Sequence, residues 1–244
     1  MRKLMLCNAV AVGLLVTLSA HADTVLETET AELGAQGQWL VSNSFQFERA
    51  PEGRHNFTLF QYEYALTDRA EILLEPFFQE WIYPKNGESF HGAGDLEITP
   101  SYLVLTETDD RPAVALALKV KVPTANDAIG TGKTDYYPYV ILGKHFGDWI
   151  ANANLGVDFI GKVPGENLRN QGIADFSLQR VINDQWSIYG EVFGNTKVSD
   201  GEKGTVAAAI ATEYQVNNFF NVFVSLGYDS DDVASIRPGF NIHF

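Results

Sequence analysis

Residues 234–244 read ASIRPGFNIHF, and apolar and polar side chains alternate along the whole stretch. The stretch PAVALALKVKVP at 112–123 alternates in the same way, with Val and Leu on one face and Ala and Lys on the other. Successive side chains of a β-strand point to opposite faces. A period of two therefore predicts strands that have one apolar face and one mixed face.

The same alternation recurs along most of the chain and predicts about twelve strands. They lie near residues 38–48, 55–65, 70–82, 92–105, 112–122, 134–144, 149–161, 172–182, 186–196, 204–215, 219–228 and 233–244. The connectors after the second, sixth, eighth and tenth strands are tight and polar, whereas those after the third, fifth, seventh and ninth are longer. Two connectors fit this alternation less well. The connector at 106–111 is long for the end of the barrel that has the tight turns, and the connector at 229–232 is short for the end that has the long loops.

Many alternating strands are also typical of a water-soluble β-sandwich, in which the apolar faces meet inside. In an outer-membrane barrel the apolar faces meet lipid, and aromatic residues gather at the strand ends near the headgroups. Here aromatic residues flank the predicted strands at Trp39, Tyr62, Tyr64, Trp81, Tyr83, Tyr136, Trp149, Trp186, Tyr214, Phe219, Phe220 and Tyr228. The sequence therefore predicts an all-β fold, a transmembrane antiparallel up-and-down β-barrel in the bacterial outer membrane.

The first 22 residues have the three parts of a secretory signal peptide. Arg2 and Lys3 form a basic start, residues 4–18 are almost wholly apolar, and Ala20-His21-Ala22 is a small-x-small cleavage site. The alternative is an N-terminal membrane anchor, for which the apolar stretch is short. We expect a cleaved signal peptide at 1–22, a periplasmic or lumen segment at 23–37 and the outer-membrane barrel at 38–244.

Composition excludes several kinds of chemistry. The chain carries 31 acidic and 17 basic residues, a net charge of −14, which disfavours nucleic-acid binding. Its one cysteine, Cys7, lies in the predicted signal peptide, so the exported part has no disulfide framework and no thiolate metal site. The stretch GTGKT at 130–134 has Asp127 where a phosphate-binding loop requires glycine. We expect no nucleic-acid partner, no cofactor and no metal.

The last predicted strand also carries an insertion signal. Phe240, Ile242 and Phe244 lie in step on its apolar face, and Phe244 is the final residue of the sequence. An aromatic residue at this position of an alternating strand resembles the signal by which outer-membrane barrels are recognised for insertion. We therefore expect the barrel-assembly machinery and outer-membrane lipid as partners.

Charged residues mark the opposite, inward face of the predicted strands. A charge at the bilayer midplane costs a few kcal/mol on the lipid face, so these residues should face the lumen or lie at the rims. The candidate pore-lining residues are Glu63, Glu75, Asp95, Glu97, Lys119, Lys121, Asp135, Tyr139, Asp158, Asp175, Glu191 and Arg237. Counting residues outward from the 106–111 connector brings Glu97 opposite or nearly opposite Lys121, and Thr99 near Lys119. This acid-base cluster either creates a transverse field for solutes or neutralises charges inside a narrow barrel.

A resemblance to a known family adds to this interpretation. Residues 92–96 read GAGDL, 129–136 read IGTGKTDY and 154–161 read NLGVDFIG, with PAVALALKVKVP between them. This part of the chain resembles outer-membrane barrels described as meta-pathway phenol-degradation proteins, which are often called transporters. The resemblance implies a passive channel for small solutes, aromatic or hydrocarbon compounds among them, and it supplies no catalytic residues.

The predicted function is thus a passive outer-membrane channel for small solutes, and not an enzyme. One alternative is a lipid-modifying barrel enzyme of the phospholipase or acyltransferase type. That enzyme would need a serine and a histidine side by side on neighbouring strands, and the sequence offers no convincing pair. The other alternative is a closed structural barrel.

Overall fold

The computed structural model describes residues 25–199 and 203–244. The predicted signal peptide, with Cys7, lies outside these residues. Thirteen strands follow in chain order: β1 (Trp39–Ala50), β2 (Gly53–Thr67), β3 (Ala70–Pro84), β4 (Phe90–Gly92), β5 (Leu96–Leu105), β6 (Ala113–Val122), β7 (Asp135–Phe146), β8 (Trp149–Asp158), β9 (Gln171–Val181), β10 (Trp186–Asn195), β11 (Val206–Asn217), β12 (Phe220–Asp229) and β13 (Ala234–His243). In the described part of the chain, no helix is long and apolar enough to cross a membrane.

Twelve of these strands form a closed antiparallel barrel. Each long strand pairs with its neighbours in sequence, with β3 pairing to β5, and β1 pairs with β13 to complete the circle. Closure gives each of these twelve strands a partner on both sides, as a strand in lipid requires, whereas the short strand β4 pairs with β3 alone. The fold class is confirmed, and the predicted strand boundaries agree with the observed ones to within a few residues, apart from the fourth strand.

The fourth predicted strand, at 92–105, is divided in the structure. The short strand β4 pairs with the far end of β3, while β5 begins at Leu96 and pairs with the near half of β3. Between them, the amide of Gly94 donates to the carbonyl of Phe77 at 2.8 Å. A Cβ on Gly94 would lie 2.7 Å from Cβ of Phe77, so this close approach requires glycine. The prediction that Asp95 is a strand residue is therefore wrong, because Asp95 lies in the gap.

The two faces of the strands have opposite chemistry, and this excludes a sandwich. Large apolar residues such as Leu116, Val192 and Ile210 are exposed on the outside of the barrel. The buried face instead carries many polar and charged residues, among them Ser42, Gln61, Glu63, Asn152, Asn154, Ser177, Gln179, Glu191 and Asn241. An apolar exterior around a polar interior is the arrangement of an outer-membrane barrel.

A lysine on this apolar exterior should destabilise the barrel according to its depth. Ile210, in the middle of β11, is 64% exposed, and Val206, at the end of the same strand face, is 59% exposed. In lipid bilayers we expect I210K to lower the free energy of unfolding by about 2–4 kcal/mol and V206K by at most about 1 kcal/mol. Denaturant unfolding in vesicles measures both, and equal losses would contradict the placement of Ile210 at the midplane.

The long connector between β5 and β6 has a structural role at the short-turn end. Its Glu107 accepts hydrogen bonds from Lys144 Nζ at 2.9 Å and from the His145 amide at 3.0 Å. Although burial opposes the shift, hydrogen bonds from His145 and Lys144 hold the pKa of Glu107 below its ordinary value. The His145 ring also lies 2.6 Å from Glu32. The length of this connector therefore brings the Glu107 carboxylate to the rim of the barrel, close to Glu32.

Candidate functional site

The lumen contains the N-terminal segment, which we define as residues 25–37. Val25 and Thr28 are fully buried there, and Leu26, Thr30 and Ala31 are nearly so. At its far end the segment leaves the lumen beside β2, where the Gly37 amide donates to the carbonyl of Ala65 at 2.8 Å. The sequence left open whether residues 23–37 are periplasmic or in the lumen. In the structure, most of residues 25–34 are buried or half-buried against the inward faces of the strands, whereas residues 35–37 are exposed at the rim.

Two charged residues of the wall hold the start of this segment. The carboxylate of Glu191, on β10, accepts hydrogen bonds from the amides of Glu27 and Thr28 and from the Thr28 hydroxyl. Arg237, on β13, donates to the Glu27 carboxylate at 2.9 Å and to the Val25 carbonyl at 3.0 Å. Since Glu191 and Arg237 are buried, their charges depend on these partners.

Apolar contacts hold the segment on two sides of the lumen. Val25 and Leu26 pack in one cluster with Tyr189, Ala211 and Phe223. Ala31 packs in a second cluster with Ala113, Ala115, Ala117, Tyr139 and Ile141. The alternate alanines of the stretch PAVALALKVKVP thus form the inward face of β6, where small side chains leave room for the segment.

The N-terminal segment lines part of two cavities in the lumen. The outer cavity, of about 270 Å³, is bordered by Glu27, Glu29, Glu97, Lys119, Lys121, Asp135, Tyr137, Tyr139, Asn154, Asp158, Ile173, Asp175 and Phe193. The inner cavity, of about 380 Å³, lies at the short-turn end and includes Gly34, Trp39, Glu63, Glu71, Trp186 and Glu213 in its wall. The outer cavity has six carboxyl groups and two ammonium groups, so its electrostatic character is acidic.

The two lysines of β6 organise the charges of the outer cavity. Lys119 Nζ lies 3.0 Å from Glu75, 3.3 Å from Glu97 and 3.7 Å from Glu29. Lys121 contacts Asp135 and lies 3.9 Å from Asp95. The backbone pairs Glu97 with Lys121, as the residue count predicted, but the carboxylate of Glu97 reaches Lys119 instead.

The candidate pore-lining residues from the sequence thus divide into three groups according to where they lie in the lumen. Glu97, Lys119, Lys121, Asp135, Tyr139, Asp158 and Asp175 border the outer cavity, and Glu75 and Asp95 join it through the lysines. Glu191 and Arg237 bind the N-terminal segment instead. Glu63 borders the inner cavity.

Sequence reasoning missed two carboxylates of the outer cavity, Glu27 and Glu29. Both belong to the N-terminal segment, and the Tyr139 hydroxyl donates to Glu29. The acids at 27 and 29 alternate with Thr28 and Thr30 in the sequence, which is a weak signal of a segment with one polar face. Among the residues that the structure describes, no cluster of three or more His, Cys, Asp or Glu residues is arranged to hold a metal ion.

The family described as "Putative MetA-pathway of phenol degradation" matches residues 65–241, which is most of the barrel. The chain belongs to this family. The match agrees with the resemblance seen in the sequence. A comparison with curated proteins gave no match.

Solved structures of outer-membrane barrels have the same fold. An outer membrane channel from Pseudomonas putida F1 superposes with a TM-score of 0.71 at 12% identity, covering 88% of this chain and 98% of that one. The NanC porin gives a TM-score of 0.61 at 13% identity, with 83% and 98% covered. The KdgM porin gives 0.59 at 13% identity, with 84% and 99% covered. At such identities the likeness establishes the fold, that of an outer-membrane barrel.

Proposed function

We propose that this chain is a passive outer-membrane channel for small solutes, with a conducting path through the lumen beside the N-terminal segment. The observation that carries the proposal is the polar lumen, in which cavities of about 270 and 380 Å³ are bordered by charged side chains instead of a packed apolar core. Of the candidate pore-lining residues, we propose that Glu191 and Arg237 hold the N-terminal segment beside this path. We propose that the path itself is lined by Glu63, Glu75, Asp95, Glu97, Lys119, Lys121, Asp135, Tyr139, Asp158 and Asp175.

The solute class follows from the lining of the outer cavity and from the family. Acids outnumber bases there, which favours neutral or cationic solutes over anions. Tyr137 and Tyr139 stack with ring centroids 4.4 Å apart, and Phe193 borders the same cavity. These rings provide apolar surface for a small aromatic solute. The phenol-degradation description of the family supports the same class.

Three of the histidines contact carboxylate or amide groups of the barrel. The ring of His55 contacts Glu80 at 2.8 Å, and the ring of His145 contacts Glu107 at 2.7 Å. His243 lies 3.4 Å from the Asn221 amide nitrogen. An acyl-transferring barrel would need a histidine hydrogen-bonded to a serine nucleophile. We therefore propose transport and not catalysis.

Single-channel recording in a planar bilayer tests the proposal. The refolded mature barrel should give discrete current steps, and a salt gradient should give a reversal potential that shows a preference for cations. Small phenols added on one side should reduce the current if they enter the lumen. A folded barrel that gives no current and admits no phenol into vesicles would contradict the channel assignment.

For assembly, we propose that the barrel-assembly machinery recognises the last strand through Phe240, Ile242 and Phe244. Phe244 is 71% exposed and is hydrogen-bonded to Trp39 at the strand end. We expect F244D to reduce the amount of barrel in the outer membrane several-fold while refolding in detergent is unchanged. F219D is the control, because Phe219 is 58% exposed near the same rim. Equal losses for both variants would point to general destabilisation instead.

A further inference from the structure

Two arginines face each other on the outside of the barrel at the long-loop rim. Arg49 on β1 and Arg54 on β2 are direct cross-strand partners, and both are exposed. Arg54 in turn pairs with Tyr83 on β3, and its guanidinium lies 5.0 Å from the centre of the Tyr83 ring. Like charges placed directly opposite each other destabilise a sheet. An anion bound between the two guanidinium groups would offset this repulsion.

The described residues give neither arginine an ion-pair partner. Within residues 25–199 and 203–244, no carboxylate lies within 4.0 Å of Arg49, Arg54 or Lys85. Asp232 borders the same groove, but its carboxylate accepts a hydrogen bond from the Tyr228 hydroxyl. Three positive charges and one negative charge thus share one open groove of about 890 Å³, which leaves an excess of positive charge.

The groove lies at the boundary between the apolar belt and the loops. The next row toward the barrel middle, two residues along each strand, consists of Phe47, Asn56 and Trp81. Phe47 is 45% exposed on the outer surface, where it meets lipid. A ligand with an anionic head and acyl chains would place its head at the arginines and its chains along the rings of Phe47 and Trp81.

We propose that Arg49, Arg54 and Lys85 bind the phosphate group of a lipid headgroup in the outer leaflet. Guanidinium groups match phosphate oxygens with paired hydrogen bonds, and an ammonium group adds a third positive charge. Ser89 in the groove, and the aromatic rings of Phe47 and Trp81 below it, complete a site for a phosphorylated lipid. The bound phosphate offsets the repulsion between the two arginines.

Arg180 provides a matched control at the opposite rim. It too is exposed on the outer face, pairs across strands with an aromatic residue and lies 5.1 Å from the centre of the Trp149 ring. It has no second arginine opposite it, because its partner on β10 is Ile188. Together with the exposed Arg111, it gives a double variant of equal charge change at the short-turn end.

Native mass spectrometry of the refolded barrel in neutral detergent tests the site. The probes are diphosphorylated lipid A, its fully dephosphorylated form and inorganic phosphate. We expect R49Q/R54Q to weaken lipid A binding by at least about tenfold, since each arginine makes charge-assisted hydrogen bonds. K85Q should give a smaller loss, and R111Q/R180Q should change the affinity by less than about twofold.

The variants also separate binding from folding. Without lipid, R49Q/R54Q should unfold at the same temperature as the parent barrel or higher, because one repulsive pair is removed. Unchanged lipid A binding by R49Q/R54Q, an equal loss in R111Q/R180Q, or equal binding of the dephosphorylated lipid would each overturn the proposal. Saturation of the site by millimolar inorganic phosphate, with no preference for the lipid, would overturn the assignment to a lipid headgroup.

Discussion

Removal of the N-terminal segment should raise the single-channel conductance of the refolded barrel several-fold. Residues 25–37 lie between the two lumen cavities, and their buried side chains occupy the interior that twelve strands enclose. A barrel of this size is wider than the eight-stranded barrels that side chains fill by themselves. A chain that starts at Gln38 should therefore join the cavities into one wider path.

The deletion also leaves two buried charges without their partners. Glu191 loses the amides of Glu27 and Thr28, and Arg237 loses the Glu27 carboxylate. An uncompensated buried charge destabilises a fold by several kcal/mol. A second deletion variant that also carries E191Q and R237Q should recover part of the stability and retain the high conductance.

An intermediate variant tests whether the segment moves as a unit. E191A in the full chain removes three hydrogen bonds at the start of the segment but leaves the contacts of Glu29 and Glu32 in place. We expect longer or larger openings than in the parent channel, but smaller than after deletion. If the deletion and the parent channel conduct equally, the path does not pass the N-terminal segment.

The strands could be predicted because their signal is local. Alternation within ten residues placed β9 at 172–182, and the structure has it at Gln171–Val181. The break between β4 and β5 could not be predicted in the same way, because it depends on the contact of Gly94 with Phe77 on another strand. The predicted pairing of Glu97 with Lys121 is confirmed. This pairing lies within a single hairpin, so it could be counted from one connector.

The lumen contacts were harder to predict because they join distant residues. Glu191 accepts a hydrogen bond from the amide of Thr28, which is 163 positions away in the sequence. No local sequence pattern at either residue indicates its partner. The ion pairs of Lys119 depend on side-chain length as well as register, since a lysine reaches diagonal neighbours on a sheet. Sequence thus indicated which residues face inward but not which of them bind the N-terminal segment.

Charge reversal at Glu97 and Asp135 should move the ion selectivity of the channel toward anions. In the outer cavity, E97K/D135K changes six acids and two bases to four of each. The shift in reversal potential should be larger than the change in net charge alone predicts, because Lys119 loses Glu97 and Lys121 loses Asp135 as ion-pair partners. Inside a narrow lumen, charges are poorly screened by salt and act strongly on passing ions. The reversal potential in a salt gradient measures the shift.

The control for this variant has the same change in net charge outside the lumen. Asp109 and Asp110 are exposed in the connector between β5 and β6, so D109K/D110K places two lysines in solvent. At physiological salt the Debye length is about 8 Å, and the control should leave the reversal potential nearly unchanged. The neutral variant E97Q/D135N should fall between the parent channel and E97K/D135K. A conducting E97K/D135K channel with the parent's reversal potential would remove both residues from the ion path, since ions that passed them would encounter the new lysines.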